Sequence, residues 1–368
     1  MAVLLPALPT LVERYQSSYA EVQFVVSAYL AGLGLSQLLA GFLCDRYGRR
    51  PVALVGYVLF VVSSVACAYA ESIAALTGLR FLQAAGVSAG TVVARAVVRD
   101  LYAAEVGAKA MSYITIGLGT APVIAPMLGG WLIESGEVAP IFYATALIGG
   151  IVLLLITLQL VETRDPTTPI PEWATWLDGY VKLLGSRAFL GYTAVYGFVQ
   201  GSFFSFLAVG ASVFATDFGL GPRSFGIVWG LMAVAYVVGA TVGGRLSTGR
   251  LAPRLLPTAA LGTPLAGLLL FGLVAGVGST PATVLPPMAV LMVLSGVATP
   301  LVLAGAVYER PEAAGTAAGL SSALGLVVGS SFTILSGVVY DGHFLPVAGL
   351  ILTSTVLTTA GWLLVRQR

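Results

Sequence analysis

Charge is what this chain has least of. Asp, Glu, Lys and Arg make up 9% of its 368 residues, against about 25% in a soluble domain. That scarcity excludes an ordinary soluble globular fold. Two cysteines, Cys44 and Cys67, both sit at or inside apolar runs and support neither a disulfide framework nor a zinc site. The single histidine, His343, removes His-rich metal and acid–base chemistry and any nucleophile–His–acid set. Lysine is reduced to Lys109 and Lys182, and neither follows a Gly-x-x-x-x-Gly pattern, so no P-loop supplies energy. An enzyme is not expected, and neither is a cofactor, a bound metal or a nucleic-acid partner.

What is present is apolar and small. The chain is 58% hydrophobic with 45 glycines, and its mean hydropathy is +0.95. Small residues let membrane helices approach closely. Runs of about 20 apolar residues cross a hydrocarbon core of about 30 Å. Such runs fall at 23–43, 52–70, 74–96, 108–132, 139–160, 188–213, 224–244, 255–275, 283–306, 315–338 and 346–365. These eleven full spans follow a short apolar piece, Met1 to Leu11, which reads as the back end of a first helix whose front is missing.

Basic residues orient the spans. If the turn Gly41–Pro51 is cytoplasmic, fifteen Lys and Arg residues share its side, and only Arg14 and Arg223 lie on the other. The C-terminus is then cytoplasmic, in a multi-pass protein of the cell (plasma or inner) membrane. The longest polar interval divides the chain into residues 1–161, a cytoplasmic linker at 162–187, and residues 188–368. Gly41–Pro51 has a weak echo at Gly244–Arg254, with Ser247 and Thr248 where an acid is expected. Two six-helix halves with parallel internal similarity fit a secondary-transporter plan.

The turn itself, Gly-Phe-Leu-Cys-Asp-Arg-Tyr-Gly-Arg-Arg-Pro, packs four charges between two spans. Asp45 can face the positive N-terminal end of another helix. Arg46, Arg49 and Arg50 offer donors to carboxylates or helix carbonyls. Gly48 permits a backbone turn that a Cβ resists, and Pro51 suits the first turn of a helix. The alternative is a basic loop that only enforces orientation.

These residues resemble a known family. Segment 41–51 is similar to the signature turn between the second and third helices of the major facilitator superfamily. Arg80-Phe-Leu-Gln83-Ala-Ala-Gly86 resembles its fourth-helix motif. Gly117, Gly119, Pro122, Pro126, Gly129 and Gly130 fall in a stretch similar to the fifth-helix motif associated with antiporters. Leu5-Pro6-Ala7-Leu8-Pro9, Ala94–Tyr102 and Ala314–Ala317 narrow the resemblance to the bicyclomycin-resistance (Bcr/CflA) group of drug:proton antiporters. The resemblance implies an all-α integral membrane fold of two six-helix bundles, functioning as a monomer. It implies that the turn latches the two halves on the cytoplasmic side, and that the fifth-helix prolines and glycines form a stiff seam that limits leak. Plain helix packing is the competing account of that seam.

Arg80 lies inside a span, where a central arginine costs about 2.5–3.5 kcal/mol on insertion scales, so it requires partners. Gln83 shares its face. Arg80 either couples substrate and proton movement from the central cavity or reaches to the outer interface. Tyr29, Gln37, Tyr113, Tyr196, Gln200, Phe203, Phe204, Trp229 and Tyr236 are candidates to line that cavity, or packing residues. Tyr196, Gln200 and Phe203 share one helix face. The set suggests an aromatic, weakly polar pocket for amphipathic molecules.

No complete span carries a carboxylate at mid-depth, although a proton antiporter ordinarily needs an intramembrane titratable group. The resembling group often has an aspartate just before Leu-Pro-Ala-Leu-Pro, where this chain reads Ala2-Val3-Leu4. Export of small amphipathic drugs or metabolites by proton antiport is the first expectation. Metabolite uptake by a symporter or facilitator of the same fold is the second, and a truncated or transport-dead membrane protein the third.

Overall fold

The computed structural model describes residues 1–101, 124–134, 136–164, 172–246, 252–309 and 314–366. Every regular element among them is helical. A 3-10 turn, Ala2–Ala7, leads into α1, Leu8–Tyr15. Then follow α2 (Tyr19–Tyr47), α3 (Arg49–Ala68), α4 (Ile73–Leu101), α5 (124–132) and α6 (Ala139–Gln159). The second part holds α7 (Trp173–Leu184), α8 (Arg187–Thr216), α9 (Pro222–Leu246), α10 (Ala252–Val277), α11 (Pro281–Tyr308), α12 (Ala314–Val339) and α13 (Leu345–Arg366).

Ten of these helices are long and apolar enough to cross a membrane. Each overlaps one of the expected spans. The eleventh expected span, 108–132, falls largely outside the described residues, and α5 is its described end. The opening apolar piece is helical to Tyr15 and deeply packed, with Leu4, Leu5, Leu8 and Leu11 almost fully buried. Residues 162–187 contain a complete helix, α7, whose apolar side chains recur at helical spacing as Trp173, Trp176, Tyr180 and Leu184.

Local chemistry accounts for the helix ends. Ser18 and Glu21 form a reciprocal capping box at the start of α2: the Glu21 amide donates to Ser18 Oγ at 3.2 Å, and the Ser18 amide donates to Glu21 Oε2 at 2.7 Å. Gly48 separates α2 from α3 at φ +97°, a conformation that L side chains rarely adopt. A Cβ at Gly48 would also collide with the Glu162 carboxylate.

Packing sorts the helices into two groups. α2 and α3 pack on α4, and α3 packs on α6. In the second group α8 packs on α12 and α13, α9 on α11, and α10 on α11 and α13. Glycines set the separations: a Cβ at Gly86 would lie 2.6 Å from the Phe60 amide nitrogen of α3, and one at Gly243 would lie 2.8 Å from the Val297 carbonyl oxygen of α11. Without a hydrophobic force between helices in lipid, such close backbone approach supplies the contact energy. Large side chains that remain outside, such as Leu147, Leu154 and Leu158 on α6 and Leu265 and Leu268 on α10, are apolar, as a lipid-facing surface requires.

The two groups meet along α2 and α12. At the end away from the Gly41–Pro51 turn, Tyr19 Oη and Gln23 Nε2 both donate to the Ala208 carbonyl of α8, at 2.7 and 2.6 Å. Farther along, Ser330 Oγ donates to the Ser27 carbonyl at 2.9 Å. A Cβ at Gly34 would lie 3.0 Å from the Ala323 carbonyl oxygen.

Candidate functional site

Three constellations emerge from the sequence candidates. The first is built on Arg80. Its side chain is 2% exposed, so it does not snorkel. One guanidinium nitrogen, Nη1, donates to Gln83 Oε1. Gln83 Nε2 donates to Ser64 Oγ at 2.6 Å, and Ser64 Oγ donates to the Phe60 carbonyl at 2.6 Å. The Tyr29 ring lies 4.1 Å from the guanidinium carbon. A desolvated cation over an aromatic face gains about 2 kcal/mol, which offsets part of the burial cost. Thus α2, α3 and α4 each contribute one partner, and Gln83 sits at i+3 as expected. Ser64 was not singled out in the sequence; its only signal is a hydroxyl pair, Ser63-Ser64, inside an apolar span.

The second constellation is the Gly41–Pro51 turn. Arg49 is buried, and its Nε donates to Asp100 Oδ2 at 2.7 Å. Its Nη1 donates to the Cys44 carbonyl at 3.0 Å, and its Nη2 lies 3.3 Å from Asp45 Oδ1. Glu162, just beyond α6, accepts from the Arg49 amide at 2.9 Å, the Arg50 amide at 3.1 Å and the Arg164 amide at 2.9 Å. A carboxylate is thereby placed on the orphan amides at the start of α3. Glu162 thus caps the start of α3. Asp45 pairs with Arg49 one turn on. Burial raises the Glu162 pKa, but the amide bonds from Arg164, Arg49, Arg50 and Thr163 outweigh it and hold the carboxyl below its ordinary 4.5.

Arg46 lies over the rings of Phe42 and Tyr47, at 6.0 and 5.7 Å. Arg50 Nη2 donates to the Thr157 carbonyl at 3.2 Å. The charge partners named here all come from α2, α4 and the end of α6. The turn's reach into the second part of the chain is aromatic: Phe42 meets Trp173 and Trp176 of α7 at 4.0 and 5.4 Å. Gly41 has open space around its Cβ position. Asp100 and Glu162 are partners that the sequence reading did not assign, because each is distant in the chain and has no local motif. Ser247 and Thr248, in the second-half echo, lie outside the described residues.

The third constellation is aromatic and joins α8 to α9. Phe203 contacts Trp229 at 5.1 Å and Tyr236 at 6.4 Å, and Phe204 at 5.2 Å. Trp229 is fully enclosed and stacks on Phe206 and Phe225. Tyr196, on the same face of α8 as Phe203, lies against Gly325 of α12, where a Cβ would overlap its ring, and also neighbours Tyr236. Gln37 and Gln200 are half-buried on α2 and α8. Tyr29 thus joins Arg80, while Phe203, Phe204, Trp229 and Tyr236 join one another. Tyr113 lies outside the described residues.

Of the fifth-helix motif, Gly117 and Pro122 also lie outside the described residues. Pro126, Gly129 and Gly130 are buried in α5. The Pro126 carbonyl abuts Gly226 of α9, and a Cβ at Gly129 would collide with the Val3 carbonyl. α5 is thus wedged between the opening segment and α9, and Arg223 Nη1 lies 3.7 Å from Glu134 Oε1 at that edge.

Comparison with known proteins agrees with this architecture. A Bacillus subtilis (strain 168) protein described as an uncharacterized MFS-type transporter, YdgK, is 31% identical over 91% of this chain and 84% of its own length. A bicyclomycin resistance protein homolog of Haemophilus influenzae is 26% identical over 66% of this chain and 62% of its own. Multidrug resistance protein MdtL of Klebsiella pneumoniae (strain 342) is 32% identical over 62% of this chain and 58% of its own. The matches to these two resistance proteins span under two thirds of their lengths. Among solved structures, an inward-facing, occupied bacterial homolog of the human lysosomal transporter Spinster superposes with a TM-score of 0.78 at 14% identity, over 100% of this chain and 93% of that one. A D-xylose-proton symporter gives 0.75 at 15% identity, over 99% and 92%. At such identities the likeness is one of fold. The family model described as Major Facilitator Superfamily matches residues 1–333, and the chain belongs to that superfamily of multi-pass membrane transporters.

Proposed function

We propose that this transporter exports small amphipathic organic molecules in exchange for protons, by alternating access between its two helical groups. The observation that carries the reading is the buried polar cluster Arg80–Gln83–Ser64–Tyr29, set among otherwise apolar spans. Aromatic and apolar linings with a few placed polar groups suit organic ligands. The names of the relatives in Haemophilus and Klebsiella support resistance-type cargo. In this reading residues 1–161 and 188–368 are two bundles of a monomer, 162–187 is their cytoplasmic connection, and the C-terminus is cytoplasmic in the cell membrane. The Gly41–Pro51 turn serves as the cytoplasmic gate, and α5 against α9 forms the seam.

Everted vesicles with an imposed proton gradient test it. Addition of a transported amphipathic compound should release protons only in vesicles that contain the protein, and Arg80→Ala should suppress the signal. Substrate movement with no proton signal would refute antiport. One observation favours a second reading, uptake or facilitated diffusion: every described carboxylate lies near a helix end, in a connection or on α7. Under that reading substrate equilibrates at the same rate with and without the gradient.

A further inference from the structure

The residues of α7, Trp173–Leu184, divide into three sectors. Trp176, Gly179, Tyr180 and Leu183 face the protein. The Trp176 ring lies 5.4 Å from that of Phe42, and a Cβ at Gly179 would lie 3.9 Å from the Thr316 side chain of α12. Tyr180 and Leu183 pack with Phe189, Ala317 and Leu320. On the far side Asp178 and Lys182, the only charges within α7, are exposed and pair with each other at 2.5 Å. Between these sectors runs an apolar stripe, Trp173, Leu177, Val181 and Leu184, whose members are 43% to 67% exposed. At 3.6 residues per turn each sector is about 80–100° wide. A contiguous exposed apolar surface marks a place of docking.

We infer that the Trp173–Leu184 stripe docks into the lipid leaflet on the side of the Gly41–Pro51 turn, at the boundary between headgroups and acyl chains. Connectivity puts it there. The membrane helix α8 begins at Arg187, so only Gly185 and Ser186 separate it from α7, a link that reaches at most about 11 Å. Leu190, one turn into α8, is exposed and apolar, so a surface of the same kind resumes just beyond the link. Helix α7 is about 18 Å long, too short to cross a hydrocarbon core of about 30 Å, and therefore lies along the leaflet. Tryptophan suits that boundary, and Trp173 also meets the Phe42 ring at 4.0 Å, which ties the anchored helix to the end of α2. A protein partner is the poorer fit, because four side chains fall short of the about 800 Å² that each partner gives to a stable interface. The Asp178–Lys182 pair leaves α7 without net charge, so its attachment is apolar and needs no anionic lipid. The inference uses the membrane spans alone and is independent of cargo and proton coupling.

Spin-label depth measurements on the full chain in phosphatidylcholine vesicles test it. Leu177→Cys, Val181→Cys and Lys182→Cys are labelled one at a time, with Cys44→Ala and Cys67→Ala removing the native thiols. The first two labels should sit about 5–10 Å into the headgroup–acyl boundary and collide more with oxygen than with a water-soluble nickel chelate. The third should show the reverse preference. Neither depth should change when phosphatidylglycerol replaces part of the lipid. Should the chain without native thiols fail to fold, vesicles of shallowly brominated phosphatidylcholine decide: Trp173→Phe should lower the fraction of tryptophan fluorescence that the bromines quench, and an unchanged fraction would overturn the inference. Labels on the stripe as open to the chelate as the one at Lys182 would put the stripe in water, and labels shielded from both reagents would put it under protein; either result overturns the docking. Depth that develops only with phosphatidylglycerol would overturn its apolar basis.

Discussion

Asp100→Asn is the sharpest perturbation of the turn. It removes the charge that faces Arg49 Nε at 2.7 Å, where the two side chains are 16% and 7% exposed. Loss of one partner of a fully buried pair costs about 3–5 kcal/mol. Here Asp45 remains 3.3 Å from Arg49 Nη2, but its side chain is 52% exposed and its attraction is largely screened. Hydrogen bonds to charged groups are worth about 1.5–3 kcal/mol, and asparagine keeps one oxygen acceptor, so the lower half of that range applies. Each kcal/mol moves the unfolding temperature by about 2–4 °C in proteins of 150–250 residues. The expected drop is therefore about 3–9 °C. Cys44 and Cys67 are free and buried, so a thiol-reactive fluorophore added during heating reads unfolding directly. Cys44 should also label faster at native temperature, because its carbonyl accepts from Arg49 Nη1. A drop under about 1 °C would refute the pairing argument. So would strict additivity of Asp100→Asn with Arg49→Met, since a shared interaction cannot be lost twice.

The remaining predictions concern the neighbours of that site and the enclosed stack around Trp229. Gly48→Ala should destabilise by about 1–3 kcal/mol, because alanine is strained at φ +97°. Adding Glu162→Ala should cost less on the Gly48→Ala background than alone, since it removes the atoms a Cβ meets; thermal unfolding of the four proteins checks this. Trp229→Ala should cost about 3–5 kcal/mol through the cavity it leaves, with Trp229→Phe much milder; equal effects would contradict the enclosed stack. The Glu162 carboxyl is held below its ordinary 4.5. A carboxyl depressed in the folded state stabilises above its unfolded value and loses that contribution as pH falls through the folded one. Unfolding temperature should therefore decline as pH falls below about 4.5, and Glu162→Gln, measured from pH 6 to 3.5, should show a shallower decline.

The sequence by itself determined what solvent does. Apolar runs of about 20 residues with almost no charge match helices that satisfy their own backbone across a bilayer, so the spans and the glycine-broken turn were legible from local pattern. The i, i+3 pairing of Arg80 with Gln83 was legible for the same reason, because it lies within one helix. α7 was missed because its twelve residues fall short of a span, although its Trp and Tyr spacing was there to be read. What only the tertiary structure decided are the meetings between elements remote in sequence. Glu162 caps a helix that begins over a hundred residues earlier, Asp100 takes the arginine that the turn motif supplies, and Ser64 and Tyr29 close around Arg80. Tyr196 of α8 reaches Gly325 of α12, while Phe203 of the same helix meets Trp229 of α9. Periodicity states which side of a helix a residue occupies. Which partner awaits there is a property of how helices pack, and in this chain backbone contacts at glycine set that packing.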